Sequence, residues 1–281
     1  NAENPLEADV IIIDEMSMVD IHLMHALLAA ILPGTRLILV GDMNQLPSVG
    51  PGNVLKDIID SGVMSVVTLK EIFRQAQESE IVMNAHKIVN GEHIDLASKD
   101  KDFFFMQRLE YGELQDLVVE LCKTRLPKAY DYSPIDDIQV LSPTRKGPAG
   151  TVELNKRLQQ ELNPPAAGKS EVKTPVYTFR KGDKVMQTKN DYEILWKKYI
   201  TEDKTESGAG IFNGDIGIII AVNKILKTVT IDFEGRMAVY DKQMLDNLEL
   251  AYAITVHKSQ GSEFDVVILT VFGGFDKLYY R

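Results

Sequence analysis

The chain has 281 residues, of which 44% are hydrophobic and 26% charged, and a formal net charge of −10. That length suits two compact domains, or one with a sizeable insertion. No apolar run reaches the eighteen or so residues needed to cross a bilayer, and the first residues have neither the basic nor the apolar region of a signal peptide, which sets aside a membrane role. The single cysteine, Cys122, leaves no disulfide framework and no thiolate metal site, and the expected compartment is a reducing cytoplasm. The acidic balance argues against a surface that clamps nucleic acid all over, but not against a grip in one narrow cleft.

Asp9-Val10-Ile11-Ile12-Ile13 is a nearly continuous β-branched run, which predicts a strand buried on both faces of a parallel sheet. It ends in Asp14-Glu15. A helix over 21–32 follows, then a turn at Pro33-Gly34 and a second buried strand, Arg36-Leu37-Ile38-Leu39-Val40, ending in Gly41-Asp42. Two strands joined through a helix imply a βαβ unit, whose chemistry collects at the carboxyl ends of the strands. Helices are predicted over 54–61, 79–90, 113–124 and 151–162, and strands over 66–69, 103–106 and 138–141, which make a second α/β layer. From 172 to 248 the chain changes to short alternating runs separated by Lys181-Gly182-Asp183, Asn213-Gly214-Asp215 and Glu234-Gly235. This predicts a small antiparallel β-barrel, with 192–210 read as a long charged loop. Helical and buried-strand character returns at 248 and ends in a strand over 265–269, so the β module is inserted in an α/β domain.

Asp14-Glu15 is the strongest local feature. An Asp at a strand end can hold Mg²⁺ while a neighbouring carboxylate polarises an attacking water. The plain alternative is that Asp14 caps the next helix and Glu15 is solvated. In Gly41-Asp42-Met43-Asn44-Gln45-Leu46-Pro47, Gly41 lets the backbone turn closely, Asp42 can reach a metal region, and Gln45 offers a donor and an acceptor to a phosphate or water. The alternative there is an Asx turn ended by Pro47. Thr144-Arg145-Lys146-Gly147 is the clearest compact basic site, with two cations and the amides beside Gly147 suited to a phosphate; a solvated turn is the alternative. Thr255, His257, Ser259 and Gln260 precede Gly261, and hydroxyl, imidazole and amide groups hydrogen-bond phosphates without reading sequence. Glu263, just beyond, is a carboxylate that can hold a ribose hydroxyl, whereas His257 alone would be structural and Lys258 solvated. Tyr177, Phe179 and Phe212 can stack on bases, but aromatics at β spacing fill a barrel core, which is the expectation here.

Taken together, these motifs resemble a family. Asp14-Glu15-Met16-Ser17 with Gly41-Asp42-Met43-Asn44-Gln45-Leu46-Pro47 looks like motifs II and III of superfamily 1 helicases, and Leu69-Lys70-Glu71-Ile72-Phe73-Arg74-Gln75 like motif IV. The stretch from Ala251-Tyr252-Ala253 through Lys258-Ser259-Gln260-Gly261 to Asp265 looks like motif V in the form used by RecD, the α subunit of exodeoxyribonuclease V. Gln139-Val140-Leu141-Ser142-Pro143-Thr144-Arg145-Lys146-Gly147 and Phe212-Asn213-Gly214-Asp215-Ile216-Gly217 are also similar to RecD-like stretches. Five ordered matches are far more specific than any one of them.

The resemblance implies an α/β fold of RecA-like P-loop NTPase motor layers, parallel sheets flanked by helices, with an inserted small SH3-like β-barrel. Its division would be 1–69 in the first motor domain, 70–171 with 249–281 in the second, and 172–248 in the barrel. It implies ATP and Mg²⁺ as cofactors, with Asp14 on the metal, Glu15 activating water, Gln45 sensing the γ-phosphate, Asp42 beside them, and Arg74 as an arginine finger. On residues alone, Arg74 is instead a surface helix arginine paired with Glu71 or Glu78. Gly261 and Glu263 would contact nucleotide, and Thr144, Arg145, Lys146, Thr255, His257, Ser259 and Gln260 would contact DNA. The activity implied is ATP-driven movement on single-stranded DNA with a duplex junction as substrate, in recombination and repair, alongside other exodeoxyribonuclease V subunits. The helicase part of a conjugative relaxase and a non-catalytic DNA-binding module stand as alternatives. The pattern departs in one place: no GxxxxGK[ST] loop joins a strand to a helix. Gly168-Lys169-Ser170 follows a helix, lacks the first glycine, and reads as a linker. The chain is therefore expected to be an internal fragment, inactive alone towards ATP.

Overall fold

A computed structural model describes residues 3–69, 76–97, 101–201 and 204–272. The chain divides into two compact units, Asn1–Gln107 and Arg108–Arg281. Among the described residues no helix is long and apolar enough to cross a membrane.

In the first unit, β1 (Val10–Ile13) and β2 (Arg36–Leu39) pair in parallel, Ile13 opposite Leu39. Between them runs α1 (Ile21–Ala30), followed later by α2 (Val54–Ser61) and α3 (Glu80–Val89). Asp20 starts α1 by accepting the Leu23 amide at 2.8 Å, so the helix cap is Asp20 and not Asp14. Ser79 caps α3 through the Val82 amide, and Asp102 adds bonds from the Ser79 hydroxyl and the Glu80 amide. One face of the two strands packs Ile13, Leu37 and Leu39 against Met16, Met24 and Leu55. The expected burial on both faces is not what the structure has. Val10 is 47% and Ile12 64% exposed, because only alternate side chains meet the helices and nothing among the described residues covers the other face. The predicted strands over 66–69 and 103–106 are extended segments without ladder partners.

The second unit is built on β3 (Ile138–Ser142), every residue of it buried. It is reached through α4 (Tyr111–Glu120), a π-helical turn over Leu121–Arg125 and α5 (Leu126–Tyr130), so the predicted 113–124 helix runs on as one longer path. After β3 come α6 (Thr151–Leu162) and the two-stranded pair β4 (Glu171–Lys173) and β5 (Thr178–Arg180). Next are β6 (Lys184–Gln187), β7 (Asp191–Thr201), β8 (Lys204–Ile211), β9 (Ile216–Asn223), β10 (Thr228–Phe233), β11 (Arg236–Tyr240) and β12 (Leu248–Leu250). These form a seven-stranded antiparallel sheet in the order β12-β6-β9-β10-β11-β7-β8. Finally β13 (Ala253–Thr255) and β14 (Val266–Leu269) flank β3 in parallel.

The antiparallel module forms where the turn chemistry demands it. Glu234 and Gly235 both have positive φ between the paired ends Phe233 and Arg236, the geometry a two-residue hairpin requires. Phe179, Val185, Ile219, Ile231, Phe233 and Tyr240 fill its interior. The stretch read as a charged loop is instead the β7–β8 hairpin. Its charged and aromatic side chains stand outward on an edge ribbon, while Ile194 and Ile211 anchor it in the core. Trp196 sits directly over Gly208, where any β-carbon would collide with the indole.

One carboxylate ties these parts together. Asp183 is fully buried and accepts the Arg180 amide at 2.7 Å, Gln159 Nε2 at 2.6 Å, Asn163 Nδ2 at 2.6 Å and the Tyr252 hydroxyl at 2.9 Å. Burial alone drives its pKa upward, against these bonds. Asp183→Asn would turn an amide NH2 towards these donors and is expected to cost at least about 2 kcal/mol, read as a lowered urea midpoint at unchanged slope.

Lys184, next in line, is 4% exposed and donates only a long bond, 3.4 Å, to the Ile138 carbonyl. Burial pulls its ammonium down to about 8, with Asp136, Cys122 and Asp137 opposing. The unfolded chain therefore binds more protons above pH 8, so this residue makes stability rise with pH from about 8 towards 10. From about pH 9 the buried Cys122 thiol, pushed up to about 12, opposes this rise, and at higher pH Tyr240 and Tyr252, both held well above the ordinary phenol range by burial, add to the opposition. Lys184→Met should flatten the rise between pH 8 and 10 in denaturation midpoints; an unchanged rise would contradict the assignment.

Candidate active site and nucleic-acid interface

At the carboxyl end of β1 the backbone leaves the strand abruptly. Asp14 is exposed and accepts the Glu15 amide on Oδ1 at 2.8 Å, and Glu15 adopts the left-handed conformation, φ 53° and ψ 41°. A non-glycine residue there is uncommon and mildly strained. Successive residues leaving a strand point in different directions, so two adjacent carboxylates can face separate metal and water tasks. The sheet pairing continues past the strand ends, with the Val40 amide on the Ile13 carbonyl at 2.8 Å and the Met16 amide on the Val40 carbonyl at 3.0 Å. Asp42 and Gln45 thus leave the neighbouring strand at the same end of the sheet, both exposed.

Gly41 makes this possible. A β-carbon there would lie 3.0 Å from the Met16 amide nitrogen and 3.0 Å from Leu55, so a larger residue would force the neighbours to give way by a few tenths of an ångström. The Asx turn is also real, since Asp42 Oδ1 accepts the Asn44 amide at 2.8 Å and its carbonyl the Gln45 amide at 3.2 Å. It coexists with the functional placement, because Asp42 uses one oxygen in it. Ser17, two residues past Glu15, is buried, and among the described residues its hydroxyl has no hydrogen-bond partner. Exposed carboxylates on adjacent strand ends suit a hard cation that also takes phosphate and water oxygens. Arg74, with Lys70 and Glu71, lies outside the described residues.

In the second unit, two loops leave the carboxyl ends of neighbouring parallel strands. The first, 143–150, follows β3. Thr144 donates its hydroxyl to the Lys146 carbonyl at 3.1 Å, and the carbonyls of Thr144 and Arg145 receive the Thr151 and Val152 amides at 3.1 Å each. The leading amides of α6 are therefore spent within the loop, and Thr144 acts as loop structure. The phosphate-binding capacity is left to the exposed side chains of Arg145 and Lys146. Gly150 is required because a β-carbon would collide with the Lys146 and Arg145 carbonyls.

The second loop follows β13, whose last residue, Thr255, pairs with Ser142. A single 3-10 turn over Val256–Ser259 leaves His257 exposed and Thr255, Lys258, Ser259 and Gln260 half-buried. Ser259 donates its hydroxyl to the Val256 carbonyl at 2.8 Å, so its side chain shapes the turn. The two loops meet through a residue the sequence did not single out. Glu249, in the middle of β12, pairs with Arg145 and lies 3.8 Å from Lys258. Glu249 first, then a hydrogen bond that Arg145 donates to the Tyr177 hydroxyl oxygen, raises the pKa of the Arg145 guanidinium. Burial lowers Lys258, with Glu249 opposing. Tyr177 is thus half-buried and engaged with Arg145, Phe179 is core, and Phe212 lies at the module's surface against Tyr192, ring centres 5.4 Å apart.

Gly261, with φ +74°, and Glu263 line a cleft of about 550 Å³ shared with Asp136, Asp215, Asp232 and Arg236. Arg236 is paired with Asp215 at 3.2 Å, so the cleft is dominated by carboxylates and is unsuited to a phosphate backbone. Lys169, in the stretch that imitates the end of a phosphate loop, is bonded to Asn163 and to the Pro164 carbonyl, and the chain enters β4 without a helix. It is a linker, as expected.

Residues 154–233 match the family described as the ATP-dependent RecD-like DNA helicase SH3 domain, 2–103 an AAA domain, and 250–281 the UvrD-like helicase C-terminal domain. An ATP-dependent RecD2 DNA helicase of Deinococcus radiodurans is 34% identical over 95% of this chain and 33% of its own length. The RecBCD enzyme subunit RecD of Mycolicibacterium smegmatis is 30% identical over 94% of this chain and 45% of its own. The chain thus spans between a third and a half of these relatives. A crystal structure of Pif1 helicase from Bacteroides, in complex with ADP-AlF3 and single-stranded DNA, shares the fold at TM-score 0.53, with 21% identity, 96% of this chain and 66% of that one.

The closeness of the two strand ends gives a direct test. Gly41→Val should destabilise the first unit by about 1–3 kcal/mol and speed hydrogen exchange at the Met16 amide, whereas a valine tolerated without either change would show that the contact is not required.

Proposed function

We propose that this chain, which belongs to the RecD-like helicases by its SH3 module and by relatives matched along 94–95% of its length, is the part of an ATP-dependent DNA helicase that activates water and grips the strand. The observation that carries the proposal is the pair of acidic strand ends, Asp14-Glu15 and Gly41-Asp42, closed on each other by Gly41. In such a motor Asp14 would hold Mg²⁺, and Mg²⁺ supplies charge neutralisation at the phosphates when bound. Glu15 polarises the attacking water from its left-handed turn, Gln45 senses the terminal phosphate, and Asp42 supports the metal side. Arg74 is proposed as the arginine finger. Gly261 and Glu263 are proposed at the nucleotide's sugar end. The triphosphate cradle is proposed to come from a glycine-rich loop outside these 281 residues.

Strand contact is assigned to the face made by Arg145, Lys146, His257 and Gln260, with Thr144, Thr255 and Ser259 setting the loops that present them. These cationic and polar groups hydrogen-bond phosphates without reading sequence, which favours backbone contact. The proposed division is 1–69 in the first motor layer, 70–171 with 249–281 in the second, and 172–248 in the SH3-like barrel. The crossing from β12 straight into β13 supports treating the barrel as an insertion in the second layer. The proposed setting is DNA recombination and repair in the cytoplasm, on single strands beside a duplex junction, with other exodeoxyribonuclease V subunits as candidate partners.

Binding of a fluorescent oligothymidylate to the full chain tests the strand face. Arg145→Ala and Lys146→Ala should each weaken binding severalfold and reduce the salt slope by about 0.7; unchanged affinity in both would reject the assignment. In a protein of the relatives' length containing this chain, Glu15→Gln should lower ATP turnover by about a hundredfold or more while sparing strand binding. Turnover at the unmodified rate would remove Glu15 from its role.

A further inference from the structure

We infer that Glu249 is a positioning residue that sets the strength of strand binding by serving as the internal counter-anion of the cationic face. This rests on the strand-binding role of that face. Glu249 is held on a fixed backbone, since its neighbours Leu248 and Leu250 are 2% and 3% exposed and it pairs with Met186. Strand alternation then turns its side chain to the opposite side, towards the two loops. One oxygen meets Arg145, and the other faces Lys258 at 3.8 Å. These cations come from loops after two different parallel strands and would repel each other without the carboxylate between them.

The arrangement does more than join the loops. Arg145 keeps a side chain 58% exposed while Glu249 and Tyr177 engage part of its donor fork, so its remaining N–H groups face solvent with a fixed orientation. The pair of cations with one carboxylate presents a net charge of about +1 instead of +2. An arriving phosphodiester must share Arg145 and Lys258 with an anion already in place. A strand is therefore held in an ordered site but released easily, which suits a surface that must let go of each phosphate in turn. Exposed ion pairs of this kind add little to folding, so the carboxylate's effect belongs on binding.

The test is anisotropy titration of the full chain with a fluorescein-labelled oligothymidylate across a salt series. Glu249→Gln should tighten binding about threefold or more at low salt and steepen the salt dependence by about 0.7 in log–log slope, as one further cation becomes available to the strand. Glu249→Asp, which keeps the charge, should stay near the unmodified affinity and slope. Glu249→Gln with unchanged affinity and slope, or with weaker binding at unchanged slope, overturns the inference if Arg145→Ala still weakens binding. If Arg145→Ala and Lys146→Ala both leave binding untouched, the strand-binding role fails and the inference falls with it. Unfolding midpoints of the variants close to the parent's keep these outcomes separate from misfolding.

Discussion

The second unit depends on a carboxylate that has no business in an apolar core unless every oxygen is used. Asp183 meets that condition with donors from α6, from the turn before β6 and from Tyr252 on the way into β13. A buried charge left short of donors is costly, so the four bonds select one arrangement of the three segments. The crossing 250–253 is held in the same manner by side-chain amides. Asn155 donates to the Leu250 and Ala253 carbonyls and accepts the Ala253 amide, and Gln139 donates to the Ala251 and Tyr252 carbonyls. A chain passing from one sheet to another would otherwise leave those backbone groups without partners.

The candidate interface grows out of this lock. Glu249 lies one residue before the crossing, Thr255 and Lys258 just after it, and the Arg145 loop leads directly into the helix that carries Asn155 and Gln159. Fixing 250–253 therefore fixes the relative places of an anion and two cations that are far apart in sequence. The acidic net charge of the chain sharpens the effect. Carboxylates outnumber cations in the lining of the cleft beside Glu263, which disfavours a phosphate backbone there.

The first unit works by close approach. The two strand ends pair beyond the strands themselves, with Gly41 leaving room for the approach, and Glu15 turns left-handed just past Asp14. The outward face of its strands leaves Val10 and Ile12 exposed, since the described helices cover only the other face.

Much of this was legible in order along the chain. The β-branched runs ending in Asp14-Glu15 and Gly41-Asp42, the helix after Gly150 and the turn at Glu234-Gly235 follow from periodicity, strand-end acids and positive-φ glycines, all of which act over a few residues. The hairpin at 191–211 was missed because exposed edge strands carry charges that imitate a loop, and the strands at 66–69 and 103–106 failed because apolar runs, β-branched in the first and aromatic in the second, promise a ladder without supplying a partner. Glu249, Tyr177 and Asp183 were invisible for a different reason. Their roles come from neighbours as far as 104 positions away, set by which strands pair and where the chain crosses between sheets. The sequence by itself determined which residues could do chemistry and at which strand ends they stand. Only the tertiary structure decided which charges share a site, because electrostatic partnership depends on distance in space and local burial, and neither is written in the spacing of residues along the chain.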